Sequence, residues 1–154
     1  MPGSIAGTPT SPPEAFLTAE QLGGSKTIGH SVRSDADLAR AVEHGFPTAT
    51  IDALRKRGVT DRDIAAVIIK PRTLSHRRAQ HSRLTVEESD RAARLARVRA
   101  LAEETFADSH KADRWLHREL PLLDGRRPID LIRTQVGARM VEDLLASIAW
   151  GAAL

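Results

Sequence analysis

The stretch from Leu84 to Phe106, LTVEESDRAARLARVRALAEETF, is the longest periodic segment of the chain and constrains it most. Ala92, Leu95, Ala96, Leu101, Ala102 and Phe106 recur on one stripe at helical spacing, and Thr85 with Glu88 three residues later forms a capping box at its start. Aromatic residues make up only 3% of the chain, β-branched runs are short, and Ala and Arg are abundant. These preferences predict an all-α protein.

A chain of 154 residues suits one ordinary domain or two small ones and can bury a real core. Cysteine is absent, which excludes disulfides, thiolate zinc sites and thiol nucleophiles together and fits a reducing, cytoplasmic setting. No apolar run approaches the roughly 18 residues of a membrane span. The opening MPGSIAGTPTSPPEAF has neither the basic region nor the apolar stretch of a secretory signal.

The first 34 residues hold half of the Gly and half of the Pro and show no sustained period, so 1–34 is expected to be disordered or weakly ordered. Within it, LTAEQL suggests a short helix capped by Thr18 and stopped by Gly23-Gly24. Regular structure is predicted from SDADLARAVEHG, capped by Ser34 and stopped by Gly45. FPTATIDALRKRG forms a second helix ending before Gly58, with Ile51 and Leu54 inward. Further on, SHKADRWLHREL is a helix with Trp115 and Leu116 as core anchors. GRRPIDLI is a turn opening a short helix. VGARMVEDLLASIAW is the last helix, with Val136, Met140, Val141, Leu144, Leu145 and Ile148 inward.

Charge is distributed unevenly. Residues 55–83 carry nine basic side chains against Asp61 and Asp63, a local excess of +7, whereas 1–54 stands at −3 and 84–154 at −1. A basic segment of this size most commonly meets nucleic acid, although charge runs are also common on solvated helix faces. The segment has a suitable layout. VTDRDIAAVI is a short helix capped by Thr60 with Ile64, Val67 and Ile68 inward, and Lys70-Pro71 breaks it. Pro71 then opens a second, basic helix through RTLSHRRAQH with Leu74 inward. Two short helices around a tight break are the layout of a helix-turn-helix, although Ile68, Ile69 and Lys70 stand where phage-type motifs place Gly.

Several motifs recur in one order from Arg72 onward: RTLSHRR, LTVEESDRAARLARV, WL, GRRPIDLIRT and GARMVEDLLASIAWG. In these the chain resembles the Xre-type antitoxins paired with RES-domain toxins, a group that shares its toxin-binding domain with ParS-like antitoxins. The resemblance implies a helix-turn-helix DNA-binding domain at 35–84 and a helical toxin-binding domain with a C-terminal tail at 85–154. It also implies a type II antitoxin that sterically blocks an NAD-degrading RES-domain toxin and represses its own operon by binding operator DNA at the promoter.

On this reading Arg72, Thr73, Ser75 and His76 lie at the start of the recognition helix, where base edges are met. Arg77, Arg78 and Arg83 are expected to meet phosphates, with packing on the protein the alternative, foremost for Arg77. Paired half-sites predict a homodimer within the toxin–antitoxin assembly. Trp150 reads either as core or as a toxin contact. In the toxin-contact version the last helix presents Ser147, Trp150 and Gly151, and Ala152, Ala153 and Leu154 enter a cleft of the toxin. The competing readings are a free-standing dimeric helix-turn-helix regulator and an enzyme. The enzyme has little support: no His pair has metal-ligand spacing, no phosphate-cradling Gly loop is present, and Asp113 with His117 reads as a surface pair. No catalytic residue, cofactor, metal or membrane contact is expected.

Overall fold

The structure, a computed structural model, describes residues 12–151. Among them it contains ten α-helices: α1 (Glu14–Gln21), α2 (Gly24–Ile28), α3 (Asp35–His44), α4 (Ala49–Lys56), α5 (Asp61–Val67), α6 (Pro71–Ala79), α7 (Val86–Phe106), α8 (Ser109–Leu116), α9 (Pro128–Leu131) and α10 (Gln135–Ala149). The fold is all-α. A single 3-10 turn at Pro121–Leu123 and an isolated bridge between Leu120 and Arg126 connect α8 to α9.

Local chemistry fixes the helix starts. Ser34, Thr60, Asp108 and Thr134 each accept a backbone N–H of the first turn they precede, satisfying donors that a helix start leaves open. Thr85 and Glu88 form the reciprocal box at α7: the Glu88 N–H donates to Thr85 Oγ1 at 3.1 Å, and the Thr85 N–H donates to the Glu88 carboxylate at 2.8 Å. Gly45 ends α3 at φ +86, and a Cβ there would stand 2.4 Å from the Leu84 carbonyl oxygen. Only glycine lets these two backbones approach, and the Leu84 N–H then donates to the Phe46 carbonyl at 2.9 Å.

α7 is the axis of the molecule. Ala92, Leu95, Ala96, Val98 and Ala102 are fully buried, and α1, α3, α5, α8 and α10 all pack on it. Its small alanines let the neighbouring helices come close. The division expected at 84/85 coincides with the start of this helix, which serves the helices before and after it, and one contiguous core runs through both.

Two expectations are corrected. Residues 14–32 are not a disordered or weakly ordered segment: Ala15, Ala19, Leu22, Ile28 and Val32 are buried in the common core. Thr18 does not cap a helix there. It lies inside α1, which opens at Pro13, and its hydroxyl donates to the Glu14 carbonyl at 2.9 Å. Proline fixes φ at this start and loses no hydrogen bond by it. A helix as short as α1 has too few residues to display a period, and it is stable because α7 covers it. The second correction concerns α10. Val141 and Leu145 are buried as expected, but Val136 and Met140 stand 73% and 45% exposed on the opposite side.

Candidate functional site

The helix-turn-helix is built from α5 and α6. Ile68 and Ile69 occupy the turn because both are buried in the core, which explains how the turn dispenses with glycine. The Ile69 N–H donates to the Ile64 carbonyl at 3.0 Å, and Arg91 Nε of α7 donates to the Ile68 carbonyl at 2.9 Å, pinning the turn to the central helix. Lys70 is extended at φ −69 and ψ 147, and Pro71 is the first residue of α6. No side chain caps this start, so its open amide groups suit an anion.

Leu74 is the buried anchor of α6, and around it the structure separates the expected DNA contacts. Arg72, Ser75 and His76 are exposed and Thr73 is half-buried at the edge. Arg77 turns inward instead: Nε and a terminal nitrogen donate to the two Glu88 carboxylate oxygens at 3.1 and 3.3 Å. Burial by itself would raise the Glu88 carboxyl, but Arg77 and the Thr85 N–H outweigh it and hold it below the usual carboxylate range. Arg78 donates to Asp52 at 2.8 Å in an exposed pair. Arg83 donates to the Gly45 carbonyl at 3.2 Å while remaining exposed. The basic helix therefore presents Arg72 and His76 outward, one turn apart, with its later arginines engaged by the protein.

At the other end of the chain, Trp150 is 88% exposed, so the reading of it as core is incorrect. It follows the last turn of α10, whose buried side is Ala138, Val141 and Leu145, and so cannot reach that core. Val136 and Met140 are exposed near the start of the same helix, with Asp143 and Ser147 between them and Trp150. The Ser147 hydroxyl donates to the Asp143 carbonyl at 3.0 Å, and Gly151 closes the helix at φ +71. Ala152, Ala153 and Leu154 lie outside the described residues.

One polar linkage escaped the sequence reading. His117 of the segment after α8 reaches the buried Asp63 of α5, with Nε2 2.7 Å from Asp63 Oδ2 and Nδ1 2.8 Å from the Asp113 carbonyl. Both partners are acceptors, so the form of the ring that satisfies both contacts is the imidazolium. Burial lowers its pKa, but the Asp113 carbonyl and the Asp63 carboxylate more than offset this and raise it above the ordinary histidine value. Asp113 with His117 is thus more than a surface pair, because Arg99, buried in α7, also donates to Asp113 at 3.3 Å. Among the described residues no group of three or more His, Asp or Glu is placed to hold a metal ion, and no helix is long and apolar enough to cross a membrane.

Known proteins share both regions. Residues 37–97 match the antitoxin Xre-like helix-turn-helix domain, and residues 101–151 match the antitoxin Xre/MbcA/ParS C-terminal toxin-binding domain. The chain is 36% identical to an antitoxin Xre of Pseudomonas putida over 118 residues, 77% of this chain and 74% of that protein. It is 31% identical to an antitoxin Xre of Yersinia enterocolitica over 129 residues, 82% and 87% of the two chains. It is also similar to a Prs ADP-ribosylating antitoxin of a Sphingobium species, 32% identical over 96 residues, 56% and 60% of the two.

Proposed function

This chain belongs to the Xre-type toxin-binding antitoxins, with a helix-turn-helix domain and a C-terminal toxin-binding domain, and from that premise we propose that it silences a RES-type, NAD-degrading toxin by steric occlusion and represses its own operon. The observation that carries the occlusion is Trp150, almost fully exposed at the end of α10. A large exposed aromatic at a helix end is a strong candidate for the desolvated anchor of a tight interface. Gly151 then lets the chain turn into a cleft of the toxin without a Cβ clash. Occlusion needs no chemistry from the antitoxin. The relative named as a Prs ADP-ribosylating antitoxin makes a toxin of that class the competitor to the RES-type partner.

The repressor half rests on Arg72 and His76, exposed at the start of α6, with Ser75 beside them. A single helix-turn-helix reads few base pairs, so the DNA-bound form contains at least two copies of this chain, through self-association or through the toxin. The experiment is co-expression of this chain with the toxin encoded in the neighbouring reading frame. The full chain is expected to protect cells, and deletion of 151–154 is expected to restore toxicity while DNA binding persists. Full protection by the truncated chain would move the block to the body of the toxin-binding domain.

A further inference from the structure

Positive charge around the helix-turn-helix does not end with α6. An open cleft of about 360 Å³ lies beside the α5–α6 turn, and Lys70, Thr73, Glu88, Arg91 and Arg133 are among its lining residues. Its three cations come from the turn, from α7 and from the loop between α9 and α10. None of the three forms an ion pair among the described residues. Glu88 does not neutralise them, because both of its oxygens are taken by Arg77 and one also by the Thr85 N–H.

The cleft is held in shape from below. Arg91 Nε is fixed on the Ile68 carbonyl. Arg94 donates to the carbonyls of Ile132 and Arg133 at 3.4 and 3.1 Å, so the α9–α10 loop is fastened to α7 through its backbone while the Arg133 side chain stays exposed. Three unpaired cations gathered in one concavity repel each other, and an anion with several acceptor oxygens relieves that repulsion. A phosphodiester backbone has these oxygens, and Arg72 on the adjoining turn is already assigned to DNA.

We propose that this cleft is a second contact for duplex DNA, in which Arg133 of the toxin-binding region, with Lys70 and Arg91, grips the sugar–phosphate backbone beside the bases met by α6. The proposal rests on the DNA-binding reading above. Backbone contacts position a protein without reading sequence, and they set the salt dependence of binding. The loop that carries Arg133 leads directly into α10, so the helix that faces the toxin and the grip on DNA are anchored at one place.

The test is fluorescence anisotropy of the full-length chain, with or without its toxin, on a labelled promoter duplex and on a scrambled duplex across a salt series. Arg133→Ala is expected to weaken both duplexes alike, roughly tenfold near 0.1 M salt, and to reduce the slope of log affinity against log salt by about 1. Arg133→Lys is expected to restore the slope. Lys70→Ala, also exposed, provides an independent variant with the same expected loss of slope. If the wild-type chain binds and both alanine variants keep its slope, this inference falls and the repressor reading stands. Loss confined to the promoter duplex, or weakened toxin binding with an unchanged slope, equally overturns it. If the wild-type chain binds neither duplex, the DNA-binding reading falls and takes this inference with it.

Discussion

His117 joins the first helix of the helix-turn-helix to the toxin-binding region through a single imidazole ring. The groups facing it are Asp63 on α5 and Asp113 on α8, with Arg99 of α7 on Asp113. Its folded pKa is raised above the unfolded value, so the stabilisation is complete below about pH 6.5 and is lost as pH rises through the folded pKa. The expected result is that the melting temperature of wild type exceeds that of His117→Gln at pH 6 and that the gap narrows steadily towards alkaline pH. A gap independent of pH would mean that the ring acts only by packing. The Asp63 partner of His117, 54 residues away, was not legible in the sequence, and for Arg77 the sequence raised packing on the protein without identifying Glu88 as the partner.

Among the elements, α10 is fixed in place at its first turn. Gly137 stands in its first turn, where a Cβ would meet the Leu131 carbonyl oxygen at 2.0 Å, so the α9–α10 connection packs directly on the helix backbone. Gly137→Ala is expected to lower stability by about 2–3 kcal/mol, read as a reduced urea midpoint at unchanged slope. An unchanged midpoint would show that the connection moves aside freely. Helix ends were legible over residues 34–85, where Ser34, Thr60 and Thr85 are N-caps, Pro71 opens α6 and Gly45 stops α3, because these signals act within four residues. Further on, the caps Asp108 and Thr134 and the end of α8 at Leu116 were missed. Which side of α10 is covered was not legible. Val136 and Met140 satisfy helical spacing as well as Val141 and Leu145 do, and only the position of α7 decides between them. LTAEQL marks a short helix in the sequence, but the start of α1 at Glu14 and its burial escaped, since that burial is supplied from outside.

At the scale of the whole molecule, the central helix ties together an N-terminal pair of helices, a basic helix-turn-helix and the helix that bears Trp150. Removing residues 1–22 uncovers the alanine face of α7 where Ala15, Ala19 and Leu22 sit at 3% exposure or less. That truncation is expected to cost roughly 3–4 kcal/mol, and a chain lacking it should melt earlier with weaker cooperativity. The charge map read from the sequence agrees with the arrangement, since the excess of +7 over 55–83 surrounds α5 and α6 and leaves α10 nearly neutral. Sequence patterning singled out a helix-turn-helix and a following helical region, which overlap the two family matches at 37–97 and 101–151. Which of their side chains are free depends on ion pairs and packing that only the folded chain determines.

The central claim is that the exposed end of α10 closes the toxin's active site, and NAD consumption by the purified toxin, titrated with this chain, tests it most directly. Trp150 makes almost no contact within its own chain, so Trp150→Glu is expected to alter folding stability by no more than about 0.5 kcal/mol. The wild-type chain is expected to stop NAD consumption at stoichiometric amounts. Trp150→Glu, with an unchanged melting temperature, is expected to require at least about thirtyfold more protein, as for the loss of an interface anchor worth 2 kcal/mol or more. A wild-type chain that leaves NAD consumption untouched, or a Trp150→Glu variant that inhibits as well as wild type, would contradict the account.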